Sequence, residues 1–380
     1  MFPQAASNQI GELPLPPSGV MHVFSRLGRG GAELRTWEIV QQTGMLFTFL
    51  AVSGETGSLD QEIRHGGHQV EYVEIKNVRD IWRAARLMKR SRLRVVHSHL
   101  GVASGPVILA AWIARVPIRI AHSRSDAVGG ATSGSRRIYL AFSRLLVSAL
   151  ATAVLGVSPA ALEGSGLLRG RWRSRAQVIP NGLDAIALRK KAQVGRDKRK
   201  LDSRDRLVIA NVARLERSKN RKRAIDIWAN VALHRPSTLK LVGPLNEDEA
   251  TYAARIAVDD DISRMGSNIE IIGESPKVAE HLGESDVLLV TSSREGLPGV
   301  VLEALACGTP VVSTNLPGVE WIKSYTEGID SLDLAESDET WAKALLRASE
   351  GRAAIHASFL KSPFQISRAV EEHLRVWGLQ

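Results

Sequence analysis

Glu295 and Glu303 are the residues of this chain whose types and spacing most directly suit chemistry. Seven residues separate the two carboxylates, and Gly296-Leu297-Pro298-Gly299 lies between them. Pro298 suits the first turn of a helix, where a missing N–H costs nothing. Gly308 suits the C-terminal stop of the same helix. The free N–H groups and positive dipole end near Gly296–Gly299 can hold a phosphate. A carboxylate on each side can accept hydrogen bonds from sugar or ribose hydroxyls. Two glutamates at this spacing are, on their own, more often solvated helix residues. The flanking Gly-Leu-Pro-Gly and Glu-Ala-Leu-Ala-Cys-Gly-Thr-Pro-Val-Val shift the reading toward a site.

Three other loops carry suitable groups. Arg214 and Lys219 leave the end of an apolar run and flank a helix start at Lys219 or Asn220. Two cations beside a helix N-terminus make a diphosphate site, although ordinary surface charge has the same pattern. Gly30-Gly31 precedes Ala32-Glu33 and lets backbone approach a bulky anion. A plain helix-entry turn fits those glycines equally well, because the run is not G-x-G-x-x-G and no ribose-anchoring acid follows a clear second strand. His97-Ser98-His99 ends a strand. Two histidines at i and i+2 share a face, but no third ligand is evident nearby, so no metal site is expected. A histidine hydrogen-bonding a substrate hydroxyl is the better reading.

These loops need a scaffold. Short β-branched runs alternate with helical stretches, which predicts parallel sheets with crossover helices. Strands are expected at 20–24, 46–52, 69–73, 95–98, 118–121, 153–157 and 177–179, then at 207–212, 238–242, 269–272, 287–290 and 310–313. A break at Pro180-Asn181-Gly182 and the charged stretch to Arg206 divides the chain. The expected plan is a disordered leader (1–18), a first α/β domain (19–185), a charged linker (186–206), a second α/β domain (207–362) and a C-terminal helical segment (363–380). In open α/β sheets ligands sit outside the carboxyl ends of strands, where all four loops fall.

The bulk numbers narrow the class. A chain of 380 residues, 44% apolar, favours two soluble globular domains. Cys307 is the single cysteine, which excludes an internal disulfide and a cysteine-based metal site. Its Ala-rich surroundings favour a buried thiol, and the lack of partners fits a reducing, cytoplasmic compartment. The N-terminus has no basic region followed by an apolar one, so it does not read as a secretory signal. The most apolar window, 145–162, is broken by Ser148, Thr152, Gly156 and Pro159, and does not read as a membrane span. The net charge is +10, much of it in 79–94, 169–175 and 189–206. Arg79, Arg83, Arg86 and Arg90 recur at helical spacing. Such a helix suits either plain solvent or peripheral contact with an anionic membrane. No zinc spacing or aromatic single-strand platform supports nucleic acid binding.

Together these residues resemble the family 4 (group 1) glycosyltransferases, retaining enzymes of the GT-B fold, with the flavour of bacterial enzymes that assemble surface polysaccharides. The resemblance spans roughly Val20 to Trp377. It rests on Gly30-Gly31-Ala32-Glu33, His97-Ser98-His99, Val178-Ile179-Pro180-Asn181-Gly182, Arg214 with Lys219, and above all 295–312. It implies two Rossmann-like, doubly wound domains facing across a cleft, with a last helix crossing back to the first domain. It implies a nucleotide-diphosphate sugar as donor and a glycan or lipid-linked hydroxyl as acceptor, without cofactor or metal. Glu295, Gly296 and Leu297 would meet the donor sugar and diphosphate. Glu303 would hold the ribose. Arg214 and Lys219 would neutralise the diphosphate, which Gly30 and Gly31 would cover. His99 would face the transferred sugar, and the backbone at Ile272 and Gly273 would meet the base. The chain departs from the family pattern at Leu100 and at Gly243-Pro244-Leu245. Two other readings stay open: another GT-B reaction, such as epimerisation or phosphorolysis, and a non-catalytic membrane-associated binding protein.

Overall fold

The computed structural model describes residues 17–124, 133–168, 170–174, 176–201, 205–352 and 354–380. Both expected parallel sheets are present. The first contains β1 (Pro17–Phe24), β2 (Leu46–Ala51), β3 (Gln69–Tyr72), β4 (Val95–Ser98), β5 (Ile118–Ser123), β6 (Ala153–Gly156) and β7 (Gln177–Val178), in the order β3-β2-β1-β4-β5-β6-β7. Its helices are α1 (Gly31–Gln41), α2 (Asp60–His65), α3 (Val78–Arg90), α4 (Gly105–Ile113), α5 (Gly134–Leu150) and α6 (Pro159–Ser165). The second sheet contains β8 (Leu207–Val212), β9 (Ser237–Val242), β10 (Asn268–Gly273), β11 (Val287–Val290), β12 (Val311–Thr314) and β13 (Ile329–Leu332), in the order β10-β9-β8-β11-β12-β13. It is covered by α7 (Ala185–Leu201), α8 (Arg221–Ala232), α9 (Glu247–Ala257), α10 (Asp260–Arg264), α11 (Val278–Glu284), α12 (Gly299–Cys307), α13 (Pro317–Lys323), α14 (Asp338–Ser349) and α15 (Ile355–Lys361). The chain ends in α16 (Ile366–Trp377).

Strands covered on both faces must be apolar throughout rather than alternating. β11, with Val287, Leu288, Leu289 and Val290 all buried, shows this. α12 follows a similar rule: Glu303 is the one charged residue in a helix that buries Val301, Leu302, Leu305 and Cys307. Each sheet reverses strand order beside its first strand, between β1 and β4 and between β8 and β11. Loops leave in opposite directions there and open a crevice.

α16 joins the first domain, as the resemblance implied. Leu183 N–H donates to the Phe364 carbonyl at 2.9 Å, and Ile366 N–H donates to the Leu183 carbonyl at 3.0 Å. Gly182 lets the two segments touch, since a Cβ there would stand 2.6 Å from Ala369 Cβ. Trp377 is fully buried against Phe47 and His22.

Three segments differ from expectation. Pro17 and Ser18, assigned to the leader, begin β1; residues 1–16 lie outside the described residues, as do Arg169 and Arg175 of the second basic cluster. The stretch read as a charged linker is helical in α7, which packs on α11 and α12. Gly195 and Gly283 permit the approach: a Cβ on Gly195 would lie 2.0 Å from the Glu280 carbonyl. Its charges are used locally, since Arg189 and Arg196 both donate to the Cys307 carbonyl at the C-terminus of α12. Burial beside them pushes the Cys307 thiol up to about 12, which leaves it unreactive. Finally, β13 was not expected, because Ile329-Asp330-Ser331-Leu332 is short and half polar, as an edge strand tolerates.

Truncating Trp377 tests the α16 return. Trp377→Ala should cost about 3–5 kcal/mol, seen as a lower urea midpoint at unchanged slope. A loss below about 1 kcal/mol would mean that the helix packs only loosely on the first domain.

Candidate active site

On the second domain, β8 continues through Ala213–Glu216 into a tight turn at Arg217–Lys219. Asn220 then takes a left-handed conformation (φ 50°), which asparagine tolerates, and α8 begins. The neighbouring strand β11 continues through Thr291–Pro298 into α12. The two loops are stitched together. Ser293 N–H donates to the Ser218 carbonyl at 2.7 Å, and Thr291 Oγ1 donates to the Asn220 carbonyl at 3.0 Å. Lys219 Nζ and Glu295 Oε1 form an ion pair in which each side chain is 14% exposed. Ser292 Oγ donates to the same oxygen at 2.9 Å. The predicted cation and the predicted carboxylate therefore meet, at the strand-order reversal.

The loop before α12 is also held from across the cleft. Ser158, which caps α6 of the first domain, donates from Oγ to the Gly296 carbonyl at 2.7 Å. Ile272 and Gly273 lie at the end of β10, at the same edge of the sheet. The Gly273 carbonyl accepts from Gly243 N–H at 2.6 Å. Gly243 is forced by crowding: its φ is +104°, and a Cβ would stand 1.9 Å from the Ala213 carbonyl. This is the physical content of the Gly243-Pro244 departure. Arg214 stands apart from Lys219; it is exposed and pairs with Glu216 at 2.9 Å.

On the first domain, Gly30 precedes α1 and Gly31 opens it. A Cβ on Gly31 would meet nothing within 4 Å, whereas one on Gly30 would stand 2.3 Å from Glu33 Oε2. The Glu33 carboxyl thus lies over the helix tip. Burial raises its pKa, and the charges of Arg124 and of Arg214 from the opposite domain hold it down.

Arg124, which the sequence reading passed over, leaves the end of β5. It donates to Asn181 Oδ1 at 2.6 Å, Thr36 Oγ1 at 2.8 Å and His99 Nδ1 at 3.1 Å. Burial lowers it to about 10, so it remains cationic at neutral pH. A charged residue just past the strand expected at 118–121 was the available signal.

His99 sits differently from expectation. A guanidinium only donates, so His99 Nδ1 accepts from Arg124 and the ring proton belongs on Nε2. That nitrogen lies 3.0 Å from His22 Nδ1, and the ring stacks on Phe24 at 4.4 Å. Both nitrogens are engaged inside the domain, and none is left to face a sugar. His97 follows the same logic: Trp377 Nε1 donates to its Nδ1 at 3.1 Å, and its Nε2 then donates to His122 Nδ1 at 3.0 Å. Burial lowers the pKa of all four rings, and lowers that of nearby His373 to about 4. Two triplets, His22–His97–His99 and His97–His122–His373, have nitrogens within 4.8 Å of one another. The third histidine that the sequence did not reveal is therefore present in space. Most of these nitrogens already exchange hydrogen bonds within the network.

Glu303 is reached from the first domain. Arg35 of α1 pairs with it at 3.4 Å and with Glu38 at 2.9 Å. Burial raises both carboxyls, that of Glu38 to about 7, with Arg35 opposing.

Two family models cover most of the chain. Residues 206–350 match the glycosyl transferases group 1, and residues 30–182 match the glycosyl transferase 4-like domain. This chain belongs to the group 1 glycosyltransferases. The capsular polysaccharide biosynthesis glycosyltransferase CapH of Staphylococcus aureus is 27% identical over 361 residues, covering 93% of this chain and 96% of CapH. EpsF of Bacillus subtilis is 27% identical, with 87% of each chain covered. Among solved structures, Anabaena HepE in complex with UDP superposes with a TM-score of 0.75 at 18% identity, covering 95% of this chain and 100% of HepE. That likeness establishes the GT-B fold of this glycosyltransferase.

The Arg35 cluster gives the enzyme a pH signature. Glu38 holds its proton to about pH 7 when folded and loses it near 4.5 when unfolded. The unfolded chain binds fewer protons in that window, so stability falls as pH rises from about 4.5 to about 7. Glu38→Gln should flatten part of this slope in urea midpoints measured across the range. An unchanged slope would place the titration elsewhere.

Proposed function

We propose that this glycosyltransferase moves a sugar from a nucleoside diphosphate to an acceptor hydroxyl with retention of configuration. The observation that carries the proposal is the Lys219–Glu295 pair at the strand-order reversal, beside the N-terminus of α12. Breaking the sugar–phosphate bond leaves positive charge on the anomeric carbon and negative charge on the diphosphate. Fixed cations and N–H dipoles stabilise that separation without reorganising. Lys219, Arg214 and the Gly296–Leu297 amides would take the diphosphate, with Gly30 and Gly31 covering it from the first domain. Glu295 would accept hydrogen bonds from sugar hydroxyls. Glu303 would accept from ribose hydroxyls, and the backbone at Ile272–Gly273 would meet the base. The acceptor oxygen forms the new bond to the anomeric carbon as the phosphate oxygen leaves. The acceptor proton passes to that departing phosphate. In this scheme the protein's own cations and amides supply the positive charge.

The remaining assignments follow from this one. The second domain (207–362) would hold the donor and the first (19–185) the acceptor, a glycan or lipid-linked intermediate. The relationship to CapH supports a place in polysaccharide assembly. UDP-sugars are the first donors to test, because HepE was crystallised with UDP and with UDP-glucose. Work at the inner face of a membrane suits the basic surface of the first domain.

Nucleotide binding and turnover test the site separately. UDP at about a hundred times its Kd should stabilise the protein by about 2.7 kcal/mol, and other nucleoside diphosphates rank the base. Lys219→Met should lower kcat about 10²–10³-fold. Glu295→Ala should abolish acceptor-dependent UDP release while the thermal transition persists. Full turnover by a folded Glu295→Ala protein would remove the assignment.

A further inference from the structure

α5 carries an apolar stripe that stays exposed among the described residues. Leu140, Ser143 and Val147 bury one side of the helix. On the other, Ile138 is 73% exposed, Phe142 56% and Leu145 63%, with Tyr139 beside them at 43%. These positions follow helical spacing, so they form one continuous strip. Single exposed apolar residues need no explanation, but a contiguous patch does.

The charge around the strip has one sign. Residues 133–150 contain Arg136, Arg137 and Arg144 and no carboxylate. α4 packs beside α5 and shows Trp112 to solvent at 52%. It carries no charged residue, and exposed Arg115 follows it. α3 packs on the far side of α4 and presents Arg79, Arg83, Arg86, Lys89 and Arg90, with Trp82 51% exposed among them. The acid of α3, Asp80, is buried and caps its own helix by accepting from Lys76 N–H and Asn77 N–H. Aliphatic and aromatic side chains ringed by cations match an anionic bilayer, where rings sit at headgroup level and arginines meet phosphate. A second copy of this surface would oppose like charges.

We infer that α5, with the exposed tryptophans of α3 and α4 and their arginines, docks this protein on an anionic phospholipid bilayer. The inference deepens the membrane contact proposed above and adds an apolar part on α5 to its basic surface. It stands apart from the transfer chemistry, since vesicle binding needs neither donor nor turnover. Crossover helices of a parallel sheet begin at the carboxyl ends of the strands. The N-terminal half of α5 therefore lies at the cleft edge. Tyr139 Oη is 3.5 Å from the Ala103 carbonyl, in the turn that follows His97–His99. A bilayer at this surface would hold a lipid-linked hydroxyl near the cleft mouth. None of the described helices is long and apolar enough to cross a membrane.

Co-sedimentation of the full chain with vesicles tests the inference. The protein should pellet with phosphatidylcholine vesicles containing phosphatidylglycerol, at least tenfold better than with phosphatidylcholine alone, and high salt should weaken that binding. Phe142→Glu with Leu145→Glu should reduce binding at least tenfold while the thermal shift with UDP stays unchanged. Phe142→Trp should keep binding, and Arg79→Gln with Arg86→Gln should reduce its salt sensitivity. Equal binding by the double glutamate variant would overturn the inference. So would vesicle-independent dimerisation in sedimentation velocity that the same two glutamates abolish. Loss of turnover with vesicle binding intact would strike the transfer reading alone.

Discussion

Both sheets reverse strand order beside their first strand, and a crossover helix cannot cover the gap that each reversal leaves. Every group discussed at the site hangs on that constraint. At β8 and β11 the departing loops bring Lys219 and Glu295 together over a sequence separation that neither could span locally. At β1 and β4 the same reversal brings the tip of α1 beside the strand that carries His97 and leads into His99. The two openings face each other because α16 returns to the first domain, and because Ser158 holds the Gly296 carbonyl from the opposite side.

Electrostatics divides the cleft unevenly. The second domain presents an ammonium already satisfied by a carboxylate, with a guanidinium in solvent at Arg214. The first domain holds Arg124 with neutral partners, Thr36, Asn181 and His99, and among the described residues the longer-range field of Glu33 opposes its burial. Behind it the histidines stay neutral, since burial and the nearby guanidinium both resist a further positive charge. The direction of every ring proton along His99–His22 follows from one donor that cannot accept. Arg35 makes a comparable link at the rim, tying α1 to Glu303 of the other domain.

Much of this was legible beforehand. β-branched runs gave twelve of the thirteen strands among the described residues, and Pro298 and Gly308 marked the ends of α12. Glu295 and Lys219 were each picked from the loop after a strand, and they meet. What escaped the sequence depended on packing across long separations. Arg124 and Arg35 matter through partners on other elements, and an arginine in sequence does not reveal which carbonyl or carboxylate it will find. The resemblance sets His99 against the transferred sugar, but His22, far earlier in the chain, captures its second nitrogen. The basic stretch after Asp184 looked like a tether because its apolar surface is small. Two glycines replace side-chain packing there with backbone contact.

The polypeptide passes from one half of the molecule to the other near Leu183 and passes back near Gln365, and these two passages are hydrogen-bonded to each other. Paired strands resist shear along their length but allow twisting about it. A rotation of one lobe relative to the other would therefore pivot on this narrow two-ply strap. Its far end would swing widest, and the gap between Arg35 and Glu303 would report the angle.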